Sequence, residues 1–226
     1  MNIVYRSGTK QDLDAICLLI QHAINEMESH KIEEYSLDGD DNMKKTGTRT
    51  LETSRLILRR FTIEDADDMY NNWASDSEVT EFLTWSPHPN VDFTRQLLKD
   101  WISKYEDGAY FNWVIELKEN GQAIGNISVV ELNEKIEAAE IGYCMSKNYW
   151  GQGIMPEALK SVADYLFDVV ELNRVAACHD ANNPKSGRVM DKAGMKLEGT
   201  LRATGKNNKG VLYDKVWHSM IKSDRC

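Results

Sequence analysis

Residues 145–159 read MSKNYWGQGIMPEAL and carry the most informative pattern in the chain. An apolar segment ends at Met145, glycines follow at positions 151 and 153, and a helical pattern begins beside Pro156. Glycine lets a chain turn tightly and bring bare amides close to a ligand, and a helix start adds the positive end of a dipole. The segment therefore predicts a receptor for a diphosphate, although two glycines at a strand-to-helix turn also fit a tight connection alone. The spacing matches neither a Walker loop nor the three-glycine dinucleotide fingerprint.

The hydrophobic pattern changes from strand-like before this loop to helix-like after it. Three strand patterns joined by turn-like residues precede it, which predicts an antiparallel meander. A helical pattern follows it, then a short buried strand, a second helix ending at Gly194, and a closing hairpin. These predictions place strands at 111–117, 123–132 and 138–145, helices at 155–170 and 184–193, a strand at 175–178, and the hairpin at 196–202 and 211–221. The order predicts an α+β fold with a mostly antiparallel sheet and one parallel crossover.

The first part of this domain supplies one more strand and several helices. Alternating residues predict a strand at 56–61, and Thr62 followed by Asp65 predicts a capped helix. A short helix is predicted at 77–83 and a longer one at 91–105. The segment WSPHP at 85–89 is predicted as a loop because its two prolines remove hydrogen-bond donors.

Composition argues against several classes of protein: nucleic-acid-binding, membrane-spanning and metal-binding. The 226 residues carry a net charge of −9, which argues against bulk nucleic-acid binding. No apolar run reaches the roughly 18 residues of a membrane span, and no signal peptide is visible. The four cysteines lack metal-site spacing, so we expect reduced thiols, a cytoplasmic protein and no metal.

The chain is predicted to divide in three. Residues 1–42 form an N-terminal stub, a strand plus an amphipathic helix over 11–29, and they hold three basic and nine acidic residues. Polar, glycine-bearing residues 43–50 are interpreted as a linker, and 51–226 as the main domain. Met43 is a candidate alternative start that would omit the stub.

Several ordered motifs resemble the GNAT superfamily of N-acetyltransferases, and most closely its ribosomal-protein N-terminal acetyltransferase branch. They are LETSRLILRR, AEIGY, NYWGQGIMPEAL, LNRVAA, NPKS and AGMKLEGTLR, which together extend from about residue 51 to 222. Asn148 departs from the family's loop, where arginine or glutamine is usual. The resemblance implies acetyl-CoA as co-substrate, a V-shaped, mostly antiparallel sheet of about seven strands flanked by helices, and dimers as a common assembly.

The resemblance also assigns the cofactor site. The pantetheine arm is expected between strands 138–145 and 174–180, and one of Lys185, Arg188 and Lys192 is a candidate for the 3′-phosphate. The predicted cofactor-binding residues are Met145, Asn148, Tyr149, Trp150, Gly151, Gln152, Gly153, Ile154, Met155, Asn183 and Ser186.

Two side chains are candidates for the chemistry. Glu140 lies in an otherwise apolar strand before the loop and is the predicted general base, acting directly or through water, unless it is only a solvent-facing or salt-bridged residue. Ser186 is the predicted donor to the leaving sulfur, because the family's usual tyrosine position holds Met190; a site without a dedicated acid is the alternative. The backbone N–H of Met145 or its neighbour is the implied oxyanion donor.

The acceptor is expected near Trp85, His88 and Tyr213, with His88 as an alternative base. We predict an acyltransferase that moves acetyl from acetyl-CoA to a primary amine, by direct attack in a ternary complex. The acceptor is a protein N-terminal α-amine or a small molecule such as a polyamine, amino acid or antibiotic. A non-catalytic acetyl-CoA-binding module is the alternative outside enzymology.

Overall fold

The computed structural model describes residues 43–225, so the stub predicted at 1–42 lies outside the described residues. One sheet of eight strands has the order β1-β2-β3-β4-β5-β6-β8-β7. The strands are β1 (Leu51–Glu52), β2 (Leu56–Arg59), β3 (Asn112–Leu117), β4 (Ala123–Asn133), β5 (Ala138–Met145), β6 (Arg174–Asp180), β7 (Lys196–Lys206) and β8 (Leu212–Ile221). The predicted mostly antiparallel fold is confirmed, because only β5 and β6 pair in parallel.

Four α-helices flank this sheet within residues 43–225. They are α1 (Ala66–Met69), α2 (Val91–Ser103), α3 (Ile154–Asp168) and α4 (Pro184–Ala193). Shorter turns are 3-10 at Ile63–Asp65, Lys104–Glu106, Glu134–Ile136, Lys147–Tyr149 and Lys222–Arg225, and π-helical at Tyr70–Ala74. Apolar residues divide the core between the two sheet faces, with α3 and α4 over one cluster and α1 and α2 over the other.

Local signals explain where the helices begin and end. The Asp65 carboxylate accepts a 2.7 Å hydrogen bond from the Thr62 amide, as the predicted cap requires. The Asn90 side chain accepts from the Phe93 amide and begins α2. Gly194, with φ of 94°, ends α4 at the predicted residue.

The prediction of a short helix at 77–83 is wrong. The structure has turns and bends there, between the π-helical turn and α2. The segment is held by side chains and by contacts distant in sequence, which no local periodicity reports. The Asn208 side chain donates to the carbonyl oxygens of Thr80 and Trp85, both at 2.9 Å.

Residues 43–50, predicted as a linker, pack on the domain. Met43 is 5% exposed and Thr48 is 2% exposed. The Lys44 amide donates to the Val170 carbonyl at 2.8 Å, and the Thr46 hydroxyl lies 2.6 Å from the Tyr165 hydroxyl. This packing could not be predicted from the sequence, because most of its contacts are made by backbone and hydroxyl groups and leave no apolar pattern. The division between stub and domain stays a prediction.

Candidate active site

The two parallel strands separate at the centre of the sheet. Their register pairs Ala138 with Arg174 and ends where Glu140 pairs with Ala176, although both strands continue beyond that point. Beyond the last pair, residues 141–145 of β5 and 178–180 of β6 line a common cavity. This divergence is the predicted V-shaped splay, and we call its closed end at Glu140 and Ala176 the fork.

The glycine loop lies at the open end of the cavity. Gly151 and Gly153 have φ of 79° and 75°, in the left-handed region that favours glycine, and Gly153 is the residue before α3. A Cβ on Gly151 would meet nothing within 4 Å, so its conformation rather than crowding requires a glycine. The indole nitrogen of Trp150 donates to the Met145 carbonyl at 2.9 Å and fixes where β5 enters the loop.

The cavity has a volume of about 830 Å³ and is lined by the loop, by the diverging ends of β5 and β6 and by the segment before α2. The predicted cofactor residues that line it are Met145, Tyr149, Trp150, Gly151, Gly153, Ile154, Met155, Asn183 and Ser186. Asn148 and Gln152 do not line it. Instead the Gln152 side chain donates to the Asn148 carbonyl at 3.0 Å and braces the loop.

Three basic side chains line the same cavity: Lys185, Arg188 and Lys192. None of them makes an ion pair within the part of the chain that the structure describes. Lys185 places its ammonium 4.9 Å from the centroid of the Trp150 ring. Unpaired cations beside a loop of glycine amides fit a polyanionic ligand. For the described residues, no group of His, Cys, Asp and Glu side chains could hold a metal ion.

Glu140 sits at the fork rather than in the cavity wall. Its carboxylate accepts a hydrogen bond from the Cys178 thiol, with Sγ and Oε1 3.3 Å apart, and Cys178 lines the cavity. Burial, with the neighbouring Glu140 carboxylate adding to it, raises the pKa of the Cys178 thiol to about 12. The thiol is therefore neutral at pH 7 and a donor to the carboxylate.

Tyr143 is a site residue that sequence reasoning missed. Its hydroxyl lies 2.9 Å from the Ser186 hydroxyl and donates to the Ser186 carbonyl at 3.1 Å. Burial raises its pKa, so the phenol keeps its proton. The motif AEIGY contained the signal, a tyrosine three residues after Glu140, but pairing with Ser186 depends on how β5 and α4 meet.

Asn183 precedes α4 and lines the cavity between β6 and the helix. Its side chain makes no capping hydrogen bond to the helix. Its backbone N–H donates to the Asp180 carbonyl, but no hydrogen bond to its side-chain amide is found among residues 43–225, so the side-chain amide is free to bind a ligand. Asn183 therefore does not cap α4 through its side chain.

The acceptor side differs in part from prediction. Tyr213 lines the cavity, with its ring packed where a Cβ on Gly205 would come within 2.3 Å. The structure does not bring Trp85 and His88 to the cavity wall. His88 is 7% exposed, and its Nδ1 lies 2.8 Å from the Thr94 hydroxyl; burial lowers its pKa. Residues 78, 79 and 81–84 line the cavity instead.

A known protein family matches this chain. A family model described as an acetyltransferase (GNAT) domain matches residues 55–196. The chain belongs to this family and is an acetyl-CoA-dependent N-acetyltransferase, so the resemblance is confirmed and the non-catalytic alternative is set aside. Within residues 43–225, no helix has the length and apolar character needed to cross a bilayer.

Individual relatives agree with this family. The uncharacterized N-acetyltransferase p20 of Bacillus licheniformis is 33% identical over 175 residues, covering 77% of this chain and 97% of that protein. The putative ribosomal N-acetyltransferase YdaF of Bacillus subtilis is 32% identical over 144 residues, covering 63% and 76%. The crystal structure of ribosomal-protein-S5-alanine acetyltransferase from Vibrio fischeri matches with a TM-score of 0.69 at 23% identity, covering 78% and 98%; at that identity it supports the fold.

Proposed function

We propose that this acetyltransferase acetylates a protein N-terminal α-amine, by direct attack of the amine within a ternary complex. The observation that carries the proposal is the end of β5–β6 pairing at Glu140 and Ala176, since it opens a channel from the glycine loop to the fork. Acetyl-CoA supplies the activated acetyl thioester. The loop amides and Lys185, Arg188 and Lys192 would hold its phosphates, and Asn183 its pantetheine amide.

Glu140 is proposed as the general base. It is the carboxylate at the fork, and the Cys178 thiol that contacts it lines the cavity. Because Glu140 itself stands behind that wall, a water molecule would carry the proton from the amine to the carboxylate. The neutral thiol keeps one carboxylate oxygen oriented, and the other oxygen remains for the water.

Ser186 and Tyr143 are proposed as the donor pair for the leaving sulfur. Either hydroxyl can donate across their 2.9 Å contact. When the phenol turns its single proton from the Ser186 carbonyl to the Ser186 hydroxyl oxygen, the serine proton is free to donate into the cavity. The raised pKa of Tyr143 keeps this pair protonated at pH 7. An acid is therefore available at this site although position 190 holds methionine.

The α-amine is supported by two arguments. An α-amine titrates near 8 and a lysine or polyamine amine near 10.4, so the α-amine loses its proton far more readily at pH 7. The relative YdaF carries the name of a putative ribosomal N-acetyltransferase. We propose the same class of acceptor, a protein N-terminal α-amine, for this chain.

A polyamine is the second candidate, on a specific observation. Glu78 and Glu81 line the same cavity. Glu78 already binds Lys147 at 3.0 Å, but Glu81 makes no ion pair within residues 43–225. A free carboxylate at the wall would favour a cationic acceptor.

The test is thiol release from acetyl-CoA at pH 7 with a matched acceptor panel. It contains peptides with free α-amines, the same peptides blocked at the α-amine but bearing lysine, spermidine, amino acids and aminoglycosides. The proposal expects release only with the peptides that carry a free α-amine. Release with spermidine and none with peptides would overturn the proposal and select the second candidate.

A further inference from the structure

Glu157, in the first turn of α3, accepts hydrogen bonds from the residues of the turn that precedes β2. Its Oε1 accepts from the Thr53 hydroxyl at 2.5 Å and from the Ser54 hydroxyl and the Arg55 amide, both at 3.1 Å. Its Oε2 accepts from Arg55 Nε at 2.7 Å, and Nη2 lies 2.6 Å from the same oxygen. Burial alone would raise the pKa of Glu157, but the hydrogen bonds from Thr53 and Arg55 hold it below its usual value.

The same guanidinium reaches the glycine loop. Arg55 Nη1 donates to the Gln152 carbonyl at 2.9 Å. Its Nη2 lies 3.6 Å from the place where a Cβ on Gly153 would stand. Arg55 lies outside the lining of the main cavity and instead lines a second cavity of about 510 Å³, together with Gln152, Tyr149 and Ile154. It therefore holds the loop from the side away from the cofactor cavity.

Because a peptide group is planar, the contact between Arg55 and the Gln152 carbonyl also fixes the direction of the Gly153 N–H. The Gln152 carbonyl and the Gly153 N–H belong to one trans peptide group, in which the two bonds point in opposite directions. A carbonyl fixed toward Arg55 directs the Gly153 N–H to the opposite side of the loop. Gly153 has a positive φ and no side chain to hold it, so an external contact is the means of fixing its peptide plane.

We propose that Arg55 and Glu157 are positioning residues for the diphosphate loop. Arg55 anchors the Gln152 carbonyl so that the Gly153 amide faces the cavity, and Glu157 holds Arg55 in place. Neither residue touches the co-substrate. The inference rests on the proposed cofactor site, because it requires the loop to bind a diphosphate.

The experiment compares two acetyl donors that differ in the diphosphate. Acetyl-CoA carries it, and S-acetylpantetheine presents the same thioester without it. For Arg55→Ala we expect kcat/KM with acetyl-CoA to fall roughly tenfold or more, the effect of losing a charge-assisted hydrogen bond. We expect kcat at saturating acetyl-CoA, and kcat/KM with S-acetylpantetheine, to change less than about twofold. Arg55→Lys should restore part of the loss, and Glu157→Gln should show the same donor dependence more weakly.

Arg174→Ala is the matched control, because Arg174 makes an equivalent two-pronged ion pair with Glu198, with both contacts at 2.6 Å, outside the cavity lining. Equal losses with both donors in Arg55→Ala, or the same donor dependence in Arg174→Ala, would overturn the inference. If Arg55→Ala does not fold, Arg55→Lys and Glu157→Gln carry the test. A parent enzyme that uses both donors equally would instead refute the diphosphate site itself.

Discussion

The two ends of the cavity are built in different ways. At the loop end, consecutive residues present backbone amides, and the Gln152 side chain braces the turn by donating to the Asn148 carbonyl. At the fork, the groups are side chains brought together from separate elements, Glu140 and Tyr143 from β5, Cys178 from β6 and Ser186 from α4. The geometry of the loop amides is set by the local backbone conformation, whereas the geometry of the side chains at the fork is set by the distances between separate strands and helices.

This difference separates binding from chemistry. The loop and its neighbouring cations lie where the diphosphate is proposed, so changes there alter acetyl-CoA affinity. The fork lies where the thioester and amine are proposed to meet, so changes there alter turnover. A substitution at one end is therefore expected to leave the function of the other end unchanged.

The largest effect is expected for Gly151→Glu. It forces a side chain into a positive φ and places a negative charge where the diphosphate is expected. Two unit charges about 4 Å apart near a protein surface repel by ~4 kcal/mol, or roughly a thousandfold in affinity. Isothermal calorimetry with acetyl-CoA measures this loss of affinity.

Gly121→Glu is the control for that variant. Gly121 has φ of 71° and open space around its Cβ position, so it shares the backbone strain without facing the cavity. Unchanged acetyl-CoA affinity in a folded Gly151→Glu protein would refute the diphosphate role of the loop.

The second effect acts at the fork. Glu140→Gln should lower kcat at pH 7 by roughly 100-fold, within the range for a general base, and leave acetyl-CoA affinity unchanged. The loss should shrink as the pH rises toward 8 and above, because an α-amine then deprotonates without help. Glu131→Gln is the control, since Glu131 pairs with Glu140 across β4 and β5 but is exposed, whereas Glu140 is half-buried. A pH-independent loss would remove Glu140 as the base.

Sequence reasoning was strongest where structure is local. The strand meander, the helix ending at Gly194 and the glycines with positive φ all follow from short-range rules. On the acceptor side the predicted Tyr213 lines the cavity, but Trp85 and His88 do not, and residues 81–84 line it instead. Their position depends on Asn208, more than 100 residues away, bonding to Thr80 and Trp85. No periodicity encodes that contact.

The same limit explains Tyr143. Its position on a strand was predicted, but its partner depends on the crossing of β5 and α4. Tyr143→Phe removes the 2.9 Å contact with Ser186 and should lower kcat roughly fivefold, from a net hydrogen bond of ~1 kcal/mol. KM for acetyl-CoA should stay the same.

Tyr110→Phe is the matched control for Tyr143→Phe. Its hydroxyl accepts a 3.1 Å hydrogen bond from Asn112, outside the cavity wall. A fall in kcat of the same size in both variants would show a general effect of the lost hydroxyl. A change confined to acetyl-CoA affinity in Tyr143→Phe would place the tyrosine with the loop end of the cavity.

The smallest effect on either end is expected when the chain begins at Met43. This truncation keeps buried Met43, the Lys44–Val170 hydrogen bond and the Thr46–Tyr165 contact, so the protein should fold and keep kcat and acetyl-CoA affinity within about twofold. A chain that begins at Leu51 loses all three, at a cost on the order of 4 kcal/mol from lost burial and hydrogen bonds. Thermal unfolding and thiol release compare the two truncations. Loss of activity in the chain starting at Met43 would show that residues 1–42 complete the site, and equal stability of both truncations would show that residues 43–50 act as a linker.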